Sequence, residues 1–355
     1  MARLLSVYKP LQSFFRLGLV SALLAACGCS VSARSTAASP EQVAQTRSTA
    51  LAAAVKMPDP SLYETRYFDW QDASRKRDVN TKLYLPKIAT PNTKAPIVVF
   101  SHGIGGSREG YSYIGQYLAA NGIASLHLQH VGSDRSLWTG NPLSLVTRLQ
   151  IAAQDSEALA RVQDLSFALD KLLTQSDLIG RIDPQRIAAA GHSYGANTTM
   201  LAIGANVSSR RSVTQSLVDR RIKAAIIISA PPFYGETDLK SIVGGIAIPT
   251  LHVTSTGDEI QVPGYYSPPK DRVEVFEAMN PGGAKALAVF TGGSHSMFTD
   301  RLGTGGLELN PKVKEATRQL CLAFLNQIFV GSNDDMAQWY GKNQSLLARY
   351  EKLDR

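Results

Sequence analysis

One serine in this chain stands where an alcohol can be made into a nucleophile. Gly191-His192-Ser193-Tyr194-Gly195 reads G-x-S-x-G, directly after the apolar run 186–190 and directly before a helix-forming stretch that begins at Ala196. At a strand-to-helix turn the two glycines permit a bend sharp enough to lift Ser193 above a sheet, and the helix N-terminus behind it favours developing negative charge. A serine hydroxyl needs a base, which in this topology comes from a histidine later in the chain. The six histidines are His102, His127, His130, His192, His252 and His295. His252 lies inside a predicted strand and precedes any plausible acid, which leaves His295, in the loop 291–296 after the last strand. The acid is expected after a strand between serine and histidine. Asp258 follows the run 248–254, with Glu259 as its neighbouring alternative. Asp219 and Asp238 stand in polar stretches with no strand leading to them, and read as solvated surface carboxylates.

Attack on a carbonyl also needs hydrogen-bond donors for the oxyanion. The run 97–100 ends in Ser101-His102-Gly103-Ile104-Gly105-Gly106, a glycine-rich turn at the strand position from which this kind of fold draws one such donor. The backbone N–H groups of Ile104 and of Tyr194, the residue after the serine, are the expected pair. A phosphate-binding glycine loop is excluded because the spacing fits neither the dinucleotide nor the P-loop pattern. His102 reads as a structural residue holding the turn.

These residues must be positioned by alternating strands and helices. Segments 63–70 and 79–85 alternate like strands, and 95–100 is a continuous apolar run of the kind buried on both faces of a parallel sheet. Further runs are 123–128, 186–190, 224–228, 248–254 and 286–290, separated by helix-period segments at 111–120, 157–173, 197–205, 273–279 and 312–329. That order predicts an α/β fold: one domain over 61–330, with a mostly parallel, doubly wound sheet and helices on both faces. A helical extension is expected over 331–355. The composition agrees with a globular chain: 355 residues, 44% hydrophobic and 19% charged, with 28 Gly, 17 Pro and 3 Cys. It is too apolar for disorder and too poor in cysteine for a disulfide scaffold.

The N-terminus reads differently. Arg3, Lys9 and Arg16 precede an apolar core at 17–26, too short to span a bilayer but suited to a secretory signal. Leu24-Ala25-Ala26-Cys27 looks like a bacterial lipobox, in which Cys27 is lipidated and begins the mature chain. The expected product is exported and lipid-anchored in the cell envelope, at the outer membrane if the host is Gram-negative, since Gly28 stands where Asp would retain it. A Ser/Thr/Ala-rich tether then spans 27–60, with a short helix near 41–56. Removing residues 1–26 takes three basic and no acidic residues from 37 Lys+Arg and 29 Asp+Glu, leaving 34 − 29 = +5. No basic run suggests nucleic-acid binding. Cys321, in the apolar stretch 320–329, reads as a buried thiol.

From 63 to 329 the chain resembles an α/β-hydrolase. Phe100-Ser101-His102-Gly103-Ile104-Gly105-Gly106-Ser107-Arg108, Gly110-Tyr111, His130 with Gly132-Ser133-Asp134, and the Gly191–Gly195 pentapeptide resemble the bacterial predicted dienelactone hydrolase group, which is similar to the platelet-activating-factor acetylhydrolases. The resemblance implies a Ser-His-Asp esterase for short to medium acyl groups, mapped onto Ser193, Asp258, His295, Ile104 and Tyr194. True dienelactone hydrolases use cysteine where Ser193 stands, so that label does not name the substrate. Polyester hydrolases also look similar, though Met or Gln usually occupies the position of Tyr194. Such an enzyme needs no metal or organic cofactor, takes a small-molecule or lipid ester, and loses activity toward acid pH as its base is protonated. Tyr111, Trp138, Tyr194, Phe233, Tyr234, Met297 and Phe298 adjoin these motifs and are candidate acyl-pocket residues. The stretch 136–155 reads as an insertion over Ser193. A thioesterase, amidase or acyltransferase on the same triad, or a non-catalytic binding lipoprotein, are the alternatives; the sequence leaves the oligomeric state open.

Overall fold

The strand that ends in the glycine-rich turn, Ala-Pro-Ile-Val-Val-Phe-Ser at 95–101, is buried along its whole length. Alternate residues point to opposite faces, so Ile97 and Val99 enter one hydrophobic core while Val98 and Phe100 enter another. Two cores separated by a sheet follow directly. The computed structural model describes residues 55–87, 94–207, 217–233, 235–262, 265–280 and 283–353, which lie in a single unit, Thr46–Arg355. The signal segment, Cys27 and nearly all of the expected tether lie outside them.

In chain order the elements are β1 (Tyr63–Asp72), β2 (Arg77–Pro86), β3 (Ala95–Ser101), α1 (Ser112–Ala120), β4 (Ala124–Leu128), α2 (Leu145–Ala152), α3 (Asp155–Thr174), β5 (Ile182–His192), α4 (Tyr194–Ala202), β6 (Ile222–Ile228), α5 (Leu239–Val243), β7 (Thr250–Ser255), β8 (Ile260–Val262), β9 (Tyr265–Ser267), α6 (Lys270–Ala278), β10 (Lys285–Phe290), α7 (Leu309–Phe329), α8 (Asp335–Asn343) and β11 (Leu347–Glu351). Nine strands form the main sheet in the order β1-β2-β4-β3-β5-β6-β7-β10-β11. From β4 to β10 the pairings are parallel; β1 and β2 at one edge and β11 at the other are antiparallel. One core packs α3 and α4 against the sheet, the other α1, α7 and α8. The expected α/β fold with a mostly parallel sheet and helices on both faces is the one observed. No helix among the described residues is long and apolar enough to cross a membrane.

Two local expectations are corrected, and one element had no signal in the sequence. The segment after 330 is helical only in part: after α8 the chain turns and adds β11 to the sheet beside β10, with Trp339 buried beneath it and its indole N–H donating to the Ala316 carbonyl at 2.8 Å. Leu347-Ala-Arg-Tyr-Glu is too short and polar to announce a strand on its own; the open edge of β10 supplies the partner. The helix expected from 197 begins at Tyr194, because the chain reverses at Ser193 itself. The hairpin β8–β9 in the loop after β7 is too short to show a period.

Candidate active site

Ser193 has φ 56° and ψ −124°, a conformation that side chains rarely adopt, between the last residue of β5 and the first turn of α4. Strain of this kind, on the order of 1–3 kcal/mol, persists only where the surroundings hold it. Both flanking glycines are required. A Cβ on Gly191 would collide with the Gly195 carbonyl, and one on Gly195 with the Ser101 carbonyl. The elbow thus rests main chain against main chain on the end of β3.

His295 and Asp258 converge on it. His295 Nε2 is 2.8 Å from Ser193 Oγ, and its Nδ1 is 2.7 Å from Asp258 Oδ1. Asp258 is fully buried; Thr254 Oγ1 donates to its second oxygen at 2.7 Å, and the equally buried Arg272 places Nε 3.5 Å from Oδ1. Burial alone would raise its pKa, but the His295 imidazole and the Arg272 guanidinium outweigh that and hold the carboxyl well below the usual carboxylate range. A carboxylate only accepts, so the His295 proton resides on Nδ1 and Nε2 is left to accept the Ser193 hydroxyl proton. The loops bearing the two residues are stitched by their backbones: Thr256 N–H donates to the Phe290 carbonyl at 2.8 Å and Gly257 N–H to the Gly292 carbonyl at 3.0 Å.

On the other side of the elbow lies the turn after β3. A Cβ on Gly103 would sit 3.1 Å from Ser193 Cβ, so the turn is seated against the serine. Gly103 N–H donates to Tyr111 Oη at 3.2 Å, and Gly105 N–H to the Ser133 carbonyl at 2.8 Å. The Ile104 N–H between them donates no hydrogen bond among the described residues. Tyr194 supplies the first backbone N–H of α4, beside the serine. His102 accepts the His130 N–H at Nε2 (3.1 Å) and therefore carries its proton on Nδ1, which donates to the Gly103 carbonyl at 2.7 Å. Burial first, and the nearby charge of Arg161 second, push its pKa well below the histidine range, so it stays neutral. Arg161, fully buried on α3, donates to Thr198 Oγ1 and Ser133 Oγ, each at 2.8 Å, and to the His102 carbonyl. Its guanidinium carbon lies 4.7 Å from the centre of the Tyr194 ring.

The pocket candidates divide. Met297, Phe298, Phe233 and Tyr111 are buried and packed in the two cores. Large apolar side chains on short loops return to the domain that carries them, because burying one is worth roughly 1.5–3 kcal/mol. Trp138 differs: it is 49% exposed, and its indole N–H donates to the Gly105 carbonyl at 2.8 Å, which lays the ring across the glycine turn. It belongs to a short 3-10 turn, Arg135–Trp138, within the region expected to be an insertion. Tyr234 lies outside the described residues.

Sequence reasoning missed Arg161 and Arg272. Glu157, Arg161 and Asp164 are spaced i, i+4, i+7 and share a helix face with apolar core residues, a legible sign of a buried polar cluster. Nothing in the local sequence marks Arg272.

The model for platelet-activating factor acetylhydrolase, isoform II, matches residues 73–143. Platelet-activating factor acetylhydrolase of Cavia porcellus is 21% identical over 298 residues, which cover 72% of this chain. The match spans 63% of that relative's length. A ferulic acid esterase from Streptomyces cinnamoneus superimposes with a TM-score of 0.55 at 20% identity, over 78% of this chain and 93% of that one. The fold is that of an α/β-hydrolase. The chain is similar to the platelet-activating-factor acetylhydrolases, and the matched span, β2 through the turn after β4, includes the whole glycine-rich turn.

Proposed function

We propose that this chain is a serine esterase that hydrolyses short to medium acyl esters through an acyl-enzyme. The observation that supports it most is the unbroken hydrogen-bonded line from Ser193 Oγ through His295 to the buried Asp258, mounted on a strained elbow. The similarity to an acetylhydrolase and the esterase-like fold point the same way.

In this reading His295 Nε2 takes the Ser193 proton as Oγ bonds to the ester carbonyl carbon. The carbonyl electrons move onto oxygen, where the N–H groups of Ile104 and Tyr194 stabilise the charge. Collapse breaks the bond to the alcohol, which leaves with the proton held on His295. Water then attacks the acyl-serine, passing one proton to His295 and from there back to Ser193 Oγ. Asp258 fixes the imidazole tautomer throughout. Trp138 is the side chain best placed to meet the acyl or alcohol group, since it is half exposed beside the glycine turn.

Initial rates on p-nitrophenyl acetate, butyrate, octanoate and palmitate test the reading. The expected result is a preference for the shorter esters and a fall of about 10⁴-fold or more for Ser193→Ala; an unchanged mutant would remove Ser193 from the chemistry. Export and anchoring through Cys27 belong to the same proposal, on the strength of Leu24-Ala25-Ala26-Cys27. Labelled palmitate should enter the wild type and not Cys27→Ser.

A further inference from the structure

Between the glycine-rich turn and the histidine loop runs a short line of buried polar groups that the triad does not use. Gly103 N–H is 3.2 Å from Tyr111 Oη, Tyr111 Oη is 2.9 Å from His192 Nδ1, and His192 Nε2 is 3.0 Å from the backbone carbonyl of His295. Tyr111 is 4% exposed and His192 3%. We propose that Tyr111 and His192 are positioning residues, forming a three-bond tie that fixes the distance between the oxyanion turn and the base. The inference rests on the esterase reading above.

The direction of the tie is forced by chemistry. A backbone N–H can only donate and a carbonyl only accept, whereas a tyrosine hydroxyl and a neutral imidazole can do one of each. A single arrangement satisfies all four groups: Gly103 N–H to Oη, Oη–H to Nδ1, and Nε2–H to the His295 carbonyl. His192 is therefore the Nε2–H tautomer. Its pKa is pushed down to about 3 by burial and by the neighbouring His295, which keeps it neutral as the tie demands.

The two ends explain what the tie is for. Ile104, whose amide is the proposed oxyanion donor, follows Gly103 by one peptide unit; the base is carried by the very residue whose carbonyl accepts the last bond. The amide must reach the carbonyl oxygen and the base the serine and leaving-group oxygens of one reacting ester, and errors of about 0.5 Å there are costly. The local backbone is shaped to make the tie. Tyr111 sits at φ 59° ahead of α1, and Gly103 packs closely on the elbow, its Cβ position lying 3.3 Å from His192 Nδ1. His192 occupies the first variable position of G-x-S-x-G, so the nucleophile's own elbow carries the middle of the tie.

Tyr111→Phe removes one oxygen and keeps the ring in the core, so it is the variant of choice. We expect kcat to fall about tenfold or more with KM within about twofold, because the loss is of geometry at the transition state and not of ester binding. His192→Ala should lower kcat similarly, and adding Tyr111→Phe to it should cost less than about twofold more, since one break already severs the line. Wild-type kcat in Tyr111→Phe, or fully multiplicative losses in the pair, would overturn the proposal. An arm independent of activity uses ring-¹⁵N histidine spectra. His192 should show protonated Nε2 and bare Nδ1 from pH 5 to 9; titration in that range or the opposite tautomer overturns the tie. Ser193→Ala, assayed alongside, separates the two readings. If it is inactive while Tyr111→Phe is normal, only the tie falls. If it is fully active, the esterase reading falls while the tautomer result still decides the tie.

Discussion

The two sides of Ser193 are held in different ways. On the acid–base side, the loops after β7 and β10 are neighbours in the sheet, and their own backbones join them through Thr256 to Phe290 and Gly257 to Gly292. Asp258 then needs little from elsewhere: one hydroxyl, His295, and a single buried cation, Arg272. On the other side the turn after β3 has one backbone bond, Gly105 to Ser133, and is otherwise fixed by side chains: Arg161 from α3, Tyr111 ahead of α1, and Trp138 from the turn after β4. One side inherits its geometry from strand pairing. The other is assembled from long-range polar contacts, each of which must be satisfied because burial makes an unpaired group costly.

The contrast makes a prediction for each side. Asp258→Asn should have the largest effect on rate, roughly 10⁴ in kcat, because an amide can present N–H to Nδ1 and favour the wrong tautomer; it should also lower stability, because buried Arg272 loses its carboxylate, and steady-state rates and a thermal melt check both parts. Arg161→Met should invert that ratio. It leaves the His102 carbonyl, Ser133 and Thr198 without their donor, costing about 3 kcal/mol or more of unfolding free energy. Urea titration of Arg161→Met beside Arg272→Met sharpens the comparison: Arg272 also anchors Ser267, with Nη1 donating at 2.5 Å, but makes fewer bonds. A larger loss at Arg272 would break it.

Acid pH should act on the whole molecule before it touches the carboxylates. Burial drives His127 down to about 4 and His130, His192 and His252 down to about 3. Each folded value lies below the unfolded one near 6.5, so the unfolded chain binds protons that the native chain refuses. Stability is therefore complete above about pH 6.5 and falls toward pH 4, by up to about 1.4 kcal/mol per pH unit for each group. Melts at pH 7, 6 and 5 measure the slope. The smallest expected effect is His252→Leu, which removes one such group in the core beside Met279, far in chemistry from the serine; it should flatten the slope by about one proton and leave kcat unchanged.

What the sequence made legible follows the same division. Apolar runs marked β3, β5, β6, β7 and β10, and with them the loops from which Ser193, Asp258 and His295 converge, because strand period and strand order are local signals. The oxyanion turn was visible as glycine after a strand. Its supports were not, since contacts such as Arg161 to His102 span 59 residues and leave no periodic trace. Tyr111 shows the limit well. As an aromatic residue near a motif it reads as pocket lining, whereas the fold packs its ring in a core and hydrogen-bonds its hydroxyl to Gly103 and His192. Phe233, Met297 and Phe298 read the same way: composition reports that a large apolar side chain is present, and only packing decides what it meets. β11 stayed hidden because an edge strand borrows its definition from its partner.

The bare backbone contact between Gly195 and the end of β3 has a consequence for descent. Where two stretches of main chain touch, no side chain remains to be exchanged, so the spacing between nucleophile and turn is closed to gradual tinkering: a substitution at Gly191 or Gly195 either aborts the elbow or is not seen again. The rim around Trp138 has no such constraint, being a half-exposed side chain on a short turn. If the proposed esterase reading holds, changes at the Trp138 rim can alter which ester is taken while the geometry of the elbow is kept.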